Sequence, residues 1–317
     1  MNFALMMVMA MTIDLAIGWP ARLYAVIGHP VTWLGALING LDRWINRDGD
    51  NPRTRRIAGG VTLVIVTAAA ALPMIALQML LPEGMMGVVL GGVLAWPLVA
   101  LRSMHSHVAA VAKPLSENDL PAARFAVSMI VGRDTTQLDG AGVARAGIES
   151  LAENTSDGVV APLFWGALLG LPGIAAYKAV NTLDSMIGHR TPRFNDFGWA
   201  SARFDDLVNL APARLTGVLF ALTSARPRLA LRVMARDAAL HRSPNAGWPE
   251  AAMAAGLGVR LSGPRVYHDH IANEPWVNAE APDPTARDLD KGLRLYARAM
   301  SALAASLGLC ALIWSLL

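Results

Sequence analysis

Charge is scarce in this sequence. Asp, Glu, Lys and Arg make up 16% of its 317 residues, and hydrophobic residues make up 54%. Soluble domains carry roughly 25% charged residues, so the balance points toward lipid. Cysteine is nearly absent: Cys310 stands alone. That excludes a disulfide framework and a thiolate metal cluster. There is no Gly-x-x-x-x-Gly-Lys-Ser/Thr loop, no Gly-x-Gly-x-x-Gly fingerprint and no His-Glu-x-x-His pair. A bound nucleotide would therefore have to be held by arginines, helix ends and a divalent cation. No strand-period alternation is sustained, and no internal repeat occurs. The net charge of +3 is small and the arginines are scattered, so nucleic acid is excluded as a partner.

What is present is a series of charge-free runs. They lie at 57–82, 84–101, 158–177 and 299–317. Two more, 1–21 and 207–225, carry one charge each, Asp14 and Arg214. A bilayer needs about 20 apolar residues of helix. One such run would read as a buried core helix; several together read as membrane segments. The first run lacks a basic n-region and a clear small-x-small site, so it reads as a retained helix, not a cleaved signal. The expected fold is all-α: a polytopic helical membrane protein with about 4–6 embedded helices near these six runs. Residues 1–317 form a single membrane domain, with a catalytic region at 133–214.

Arginine-rich stretches at 22–56, 102–157 and 226–298 belong in the cytoplasm by the positive-inside rule. The Glu83-Gly84 link and both termini then lie outside. If 158–177 and 207–225 both span, the polar segment 178–206 also falls outside. Gly170, Pro172 and Gly173 interrupt the first run, and Pro212 and Arg214 the second. Broken helices at membrane depth line protein or watery cavities. One or both runs are expected to be re-entrant or tilted, with the site facing the cytoplasm.

Three polar clusters carry the candidate chemistry. Glu149, Glu153 and Asp157 are spaced i, i+4, i+8 and would share one helix face. Such acids repel one another unless a cation sits between them, and carboxylate oxygens suit magnesium. The plain alternative is a solvated acidic face. In the second cluster Lys178, Asn181, Ser185 and His189 recur near helical spacing, with Asp184 beside them. Ionisable groups against apolar sequence are functional candidates, although Lys178 could simply snorkel and His189 mark a helix end. In the third, Asp205, Asp206 and Asn209 could hold a second magnesium. Arg203 and Arg214 could grip phosphate oxygens. The plain alternative is acids stabilising a helix N-terminus. Arg133, followed by Asp134, opens a polar turn, and Asn245 begins a loop through Gly247, Trp248, Pro249 and Glu250.

These residues resemble a known family. Glu149-Ser-Leu-Ala-Glu-Asn-Thr-Ser-Asp-Gly-Val-Val-Ala-Pro-Leu-Phe-Trp165 is similar to a hallmark of the adenosylcobinamide-phosphate synthase family (CobD/CbiB). So are Lys178-Ala-Val-Asn-Thr-Leu-Asp-Ser-Met-Ile-Gly188 and Phe197-Gly-Trp-Ala-Ser-Ala-Arg-Phe-Asp-Asp206. Arg133-Asp-Thr and Asn245-Ala-Gly-Trp-Pro-Glu250 also fit, and the likeness covers nearly the whole chain. One departure stands near the start: Gly18-Trp19-Pro20 replaces the family's Gly-Asp-Pro, with His29-Pro30 following at a longer spacing.

The resemblance implies a ligase of a bacterial inner membrane that acts in cobalamin biosynthesis. It would join adenosylcobyric acid to (R)-1-amino-2-propanol or its O-phosphate, with ATP as co-substrate and Mg2+ as cofactor. Glu149, Glu153, Asp157, Asp205 and Asp206 would hold magnesium. Lys178, Arg203 and Arg214 would hold phosphates. Asn154, Asn181, Asp184 and Asn209 would orient substrate, Arg133, Ser185 and Asn245 would contribute to binding, and a carboxylate or His189 would accept a proton. Partners would be membrane lipid and either a second copy or other late cobalamin enzymes. Two other readings compete: a magnesium-dependent prenyltransferase, suggested by the paired aspartates, and a corrinoid transporter.

Overall fold

The computed structural model describes residues 1–267, 270–272 and 274–316, with only the backbone course for 265–267 and 270–272. The chain opens with α1 (Phe3–Ile17), α2 (Ala21–Ile27), α3 (Pro30–Ile45) and α4 (Pro52–Leu80). Next come α5 (Gly84–Ala95), a 3₁₀ turn at Trp96–Leu98, α6 (Leu101–Ser116), α7 (Leu120–Ser128) and α8 (Gly140–Thr155). A π turn at Ser156–Val160 leads to α9 (Ala161–Leu169), α10 (Leu171–Ile187), α11 (Trp199–Val208) and α12 (Leu210–Thr223). After α13 (Pro227–Asp237) and α14 (Gly247–Leu257) come β1 (Leu261–Ser262), β2 (Arg265–Tyr267), β3 (His270–Ala272) and β4 (Trp276–Val277). The long α15 (Ala286–Leu316) closes the chain. The strands form two small antiparallel ribbons, β1 with β4 and β2 with β3. The fold is helical, as expected.

Helix starts follow from local sequence. Asn51 Oδ1 accepts from the Thr54 amide at 2.9 Å, and Pro52 supplies a pre-set φ just inside α4. Asp139 caps α8 in the same way, at 2.7 Å from the Gly142 amide. His29 caps α3, its Nδ1 accepting from the Val31 amide at 3.2 Å.

Three helical runs are long and apolar enough to cross a bilayer: Pro52–Leu80, Gly84–Ser116 and Ala286–Leu316. A fourth is added if α1 and the Ala21–Ile45 helices, bent by 108°, count as one broken span. The other two expected segments differ. Residues 158–177 divide at Gly170 into α9 and α10, and α12 has only 14 residues. The break at Gly170 is built in: its φ is +72°, and a Cβ there would lie 2.1 Å from Gln78 Oε1. That oxygen accepts from the Leu171 amide at 2.7 Å, so α4 caps α10 from the side.

The chain divides into two compact units. The first comprises Met1–Ala100, Ala161–Asn209 and Ser306–Leu317. Within it α10 is central, packed by α3, α4, α9 and α11. Ile38, Leu41, Val66, Ala179, Leu183, Ile187 and Phe197 form a common core there. One end of this unit gathers the chain start, the α4–α5 link and the last helix. The Met1 side chain lies beside Gly87, and Asn2 Nδ2 donates to the Ala311 carbonyl at 2.8 Å. Elsewhere in the unit, the loop after α10 is pinned to the α3–α4 region. Arg193 donates to Asp42 Oδ2 at 2.9 and 3.1 Å, and Arg56 pairs with Asp196 at 2.9 Å. Arg55 bridges Asn46 and the Arg193 carbonyl.

The second unit comprises Leu101–Val160 and Leu210–Ala305. Here α6 packs on α7 and α8, while α14 packs on α8, α12 and α13. Tyr296 Oη donates to the Leu101 carbonyl at 2.7 Å. Asp283 accepts from Arg145 at 2.5 Å and from Arg260 at 2.7 and 3.0 Å. Both guanidiniums stack on Trp276, with ring distances of 4.6 and 4.1 Å. This braces the β-segment.

Candidate active site

In the first unit, the ends of α10 and α11 bring together Asn181, Asp184, Asp205, Asp206 and Asn209. Asp205 and Asp206 stand in the last turn of α11, not at a helix start as sequence reading allowed. That is the negative end of the helix dipole, where acids are disfavoured, so capping does not account for them. Asp205 is buried. Its Oδ2 accepts from Asn209 Nδ2 at 2.9 Å, and Asn209 Oδ1 accepts from Tyr177 Oη at 2.9 Å. Its Oδ1 is buried without a well-formed hydrogen bond among the described residues, although Asn181 lies near enough to favour the charged form.

The electrostatics follow from burial and like charge. Burial, then the Asp184 carboxylate, push Asp205 up to about 7, against the opposing hydrogen bond from Asn209. Burial also raises Asp184, where His189 opposes it and Asp206 adds to it. Asp206 is raised by burial and lowered by Arg203, whose Nη1 lies 3.8 Å from its Oδ2. Burial thus raises all three carboxyls, and mutual repulsion adds to it for Asp184 and Asp205. A carboxyl whose native value exceeds its unfolded value stabilises the fold below the unfolded value and loses that stabilisation as pH rises. Without divalent cation, the stabilisation from Asp205 should disappear between about 3.8 and about 7. Thermal unfolding across that range should show the falling slope, and Asp205→Asn should flatten it.

Among the described residues, no three Asp, Glu, His or Cys side chains converge as a ready-made metal cage. Magnesium seldom needs one. It keeps several waters and commonly binds through one or two carboxylates plus substrate phosphates. Asp205 with Asp206 fits that pattern.

The rest of the second cluster is more loosely held. Lys178 is half-buried on α10 beside His29, while Ser185 is exposed and its hydroxyl donates back to the Asn181 carbonyl at 2.8 Å. Arg203 is exposed.

In the second unit the acid stripe of α8 separates by environment. Glu149 is buried, and both its oxygens are engaged. Oε2 accepts from Arg133 at 3.0 Å and Oε1 from the Ser262 amide at 2.7 Å. Glu153 and Asn154 are exposed, and Asp157 is half-buried inside the π turn. Arg214 stacks on Trp248, 4.4 Å from the ring centroid, and donates to the Leu210 carbonyl. Asn245 is buried in the loop before α14.

Three partners escaped the sequence reading. Tyr177 supports Asn209; it lies four residues before Asn181, a spacing that could have flagged it. Gln78 caps α10 from 93 positions away in the chain, with no local signal. His241, buried with Nε2 3.7 Å from Glu250 Oε1, forms a polar pair behind the Asn245 loop.

A family model described as CobD/Cbib protein matches residues 7–296. The chain is 64% identical to a cobalamin biosynthesis protein CobD of Rhodobacter capsulatus, over 99% of both chains. The chain belongs to the CobD/CbiB family. Further CobD relatives come from Sinorhizobium fredii, 45% identical over 95% of both chains, and Brucella anthropi, 46% identical over 92% of both. No solved structure matches. The CobD/CbiB-like runs place their polar residues on α8, α10 and α11. At the departure from the family pattern, Trp19 stacks edge-on against His29 at 5.0 Å and lies 5.3 Å from Trp96. Its indole N–H donates to the Gly28 carbonyl at 3.2 Å, so aromatic packing holds this corner together.

Proposed function

We propose that this chain, within the cobalamin biosynthesis to which its family belongs, joins adenosylcobyric acid to (R)-1-amino-2-propanol or its O-phosphate, using ATP and Mg2+. One observation carries the reading: a buried carboxylate, Asp205, sits against Asp184 and Asp206, and its Oδ1 makes no well-formed hydrogen bond among the described residues. Such a group is poised for a cation and phosphate.

Amide formation from a carboxylate and an ammonium ion requires an activated acid and a lost proton. In this reading the γ-phosphoryl group of ATP passes to the corrinoid carboxylate with release of ADP, and the deprotonated amine then displaces inorganic phosphate. Asp205 and Asp206 would hold magnesium, which supplies charge neutralisation on ATP phosphates. Lys178 and Arg203 add positive charge for the transferring phosphoryl group. Asn181 and Asn209 fix the carboxylates. Asp184, raised by burial and next to His189, takes a proton from the ammonium form of the amine and so frees the lone pair that attacks. Within the second unit, taken by itself, Glu153 and Asn154 on α8, Asp157 in the π turn, Arg133, Arg214 and Asn245 remain the binding candidates that the resemblance implies. Glu149, with both oxygens engaged, serves first as a brace.

The site would face the cytoplasm of a bacterial inner membrane. The loop after α10 is tied through Arg193, Asp196, Asp42 and Arg56 to the basic segment at 43–56, which the positive-inside rule retains inside. Chain start, α4–α5 link and α15 end share the opposite assignment.

The test is purified protein in detergent with cobyric acid, aminopropanol phosphate, Mg2+ and ATP, read by mass spectrometry. Expected is a corrinoid heavier by the amide-linked aminopropanol phosphate. No product with this amine or with free aminopropanol, and transfer of the prenyl group from a prenyl diphosphate with release of diphosphate instead, would replace this reading with the prenyltransferase one. Turnover without a sealed membrane also separates an enzyme from a transporter.

A further inference from the structure

Beside the acid cluster, and outside it, α4, α9, α10 and α11 leave a crevice of about 450 Å³. That lies within the roughly 300–1,000 Å³ typical of small-molecule pockets. Its lining includes Thr67 and Ala71 of α4, Trp165 of α9, Ala176 and Tyr177 of α10, and Phe204 of α11. Two polar groups on these walls are committed: Tyr177 Oη donates to Asn209, and Trp165 Nε1 donates to the Val208 carbonyl at 3.0 Å. The Thr67 hydroxyl is buried without a hydrogen-bond partner among the described residues, a single polar atom on an otherwise apolar wall.

Depth and access identify the occupant. Thr67 and Ala71 lie near the middle of the Pro52–Leu80 span, of whose apolar window only 11% is buried by protein. The crevice is thus continuous with a helix surface that hydrocarbon must cover. Phe204 and Leu169 at its edge are 40% and 53% exposed, so it opens sideways along that surface. An occupant must be apolar, narrow and able to enter from the side. A polar substrate delivered from water meets none of these conditions. We propose that the crevice binds one acyl chain of a bilayer phospholipid. The chain lies against the ring of Tyr177, whose hydroxyl holds Asn209 and through it Asp205. This proposal rests on the membrane reading of α4 and does not depend on the proposed reaction.

The experiment uses the full chain in phosphatidylcholine bilayers doped with phosphatidylcholine carrying a mid-chain diazirine. After irradiation, adducts are mapped by peptide mass spectrometry. Expected are adducts on Trp165, Ala176–Tyr177 and Phe204, alongside those on exposed α4 residues Leu72 and Met79. Ala176→Phe fills the crevice from α10 and should abolish the crevice adducts while sparing Leu72 and Met79. Ala71→Phe, from the facing helix, should do the same and covers the case of a misfolded first variant. Wild-type bilayers labelled only on α4 would overturn the proposal, as would crevice labelling unchanged in both variants. So would loss of crevice adducts in wild type on adding cobyric acid, which would assign the space to substrate. Absence of ligase activity leaves the labelling result intact, so the two readings fail separately.

Discussion

Asp205→Asn should lower corrinoid product formation by roughly 10²-fold or more, the scale of removing one well-placed electrostatic contact from a catalytic site. The substitution keeps shape and still offers an oxygen to Asn209 Nδ2, now 2.9 Å from Oδ2. What it removes is charge, in a place where burial and Asp184 already make that charge costly. The folded protein should therefore be no less stable at pH 8, and more stable if relief of repulsion dominates. Loss of activity with retained or raised stability separates a working carboxylate from a structural one. Asp48→Asn, at an 84% exposed carboxylate, is the control and should leave turnover unchanged. Full activity in Asp205→Asn would remove this residue from the site and with it the main support for the proposed chemistry. Asp206→Asn should cost less, because Asp206 is half-exposed and partly offset by Arg203.

Legibility in the sequence followed the range of the interactions involved. The spans around 57–82, 84–101 and 299–317 were readable because lipid solvation acts on every residue of a run, so composition alone reports it. The break at 170 was readable as a weakness, from two glycines and a proline. Its geometry was not, because the capping group is Gln78, on another helix. The pairing of Asp205 with Asn209 was readable from a four-residue spacing. Their place at the end of α11 was not: the apolar run beginning at Leu207 suggested a helix start, whereas the chain ends one helix at Val208 and begins another at Leu210. The stripe of Glu149, Glu153 and Asp157 assumed an unbroken α-helix with one environment. The π turn at Ser156–Val160 changes the period, and the Ser262 amide covers Glu149 from 113 residues away. Local spacing carries no information about such a partner.

Glu149→Ala should destabilise the protein by roughly 3–5 kcal/mol, the cost of stripping one partner from a buried ion pair. Side-chain exposures of 7% for Glu149 and 12% for Arg133 put this pair in that class. Alanine leaves the Arg133 guanidinium uncompensated and the Ser262 amide without its acceptor, and it detaches β1 from α8 at the same stroke. Glu149→Gln keeps an oxygen for the amide and gives up only the charge, so it should lose clearly less. Arg133→Ala should fall close to Glu149→Ala. The double variant should lose less than the sum of the two, because the second substitution removes a group already unpaired. Chemical unfolding in detergent, followed by the helical signal, reads all four. A brace and a cation ligand then part company: a brace predicts that Glu149→Gln is weakened in stability yet turns over at the rate of its folded fraction. Full stability with abolished turnover in Glu149→Gln would move Glu149 from scaffold to chemistry, back to the role that the stripe of acids first suggested.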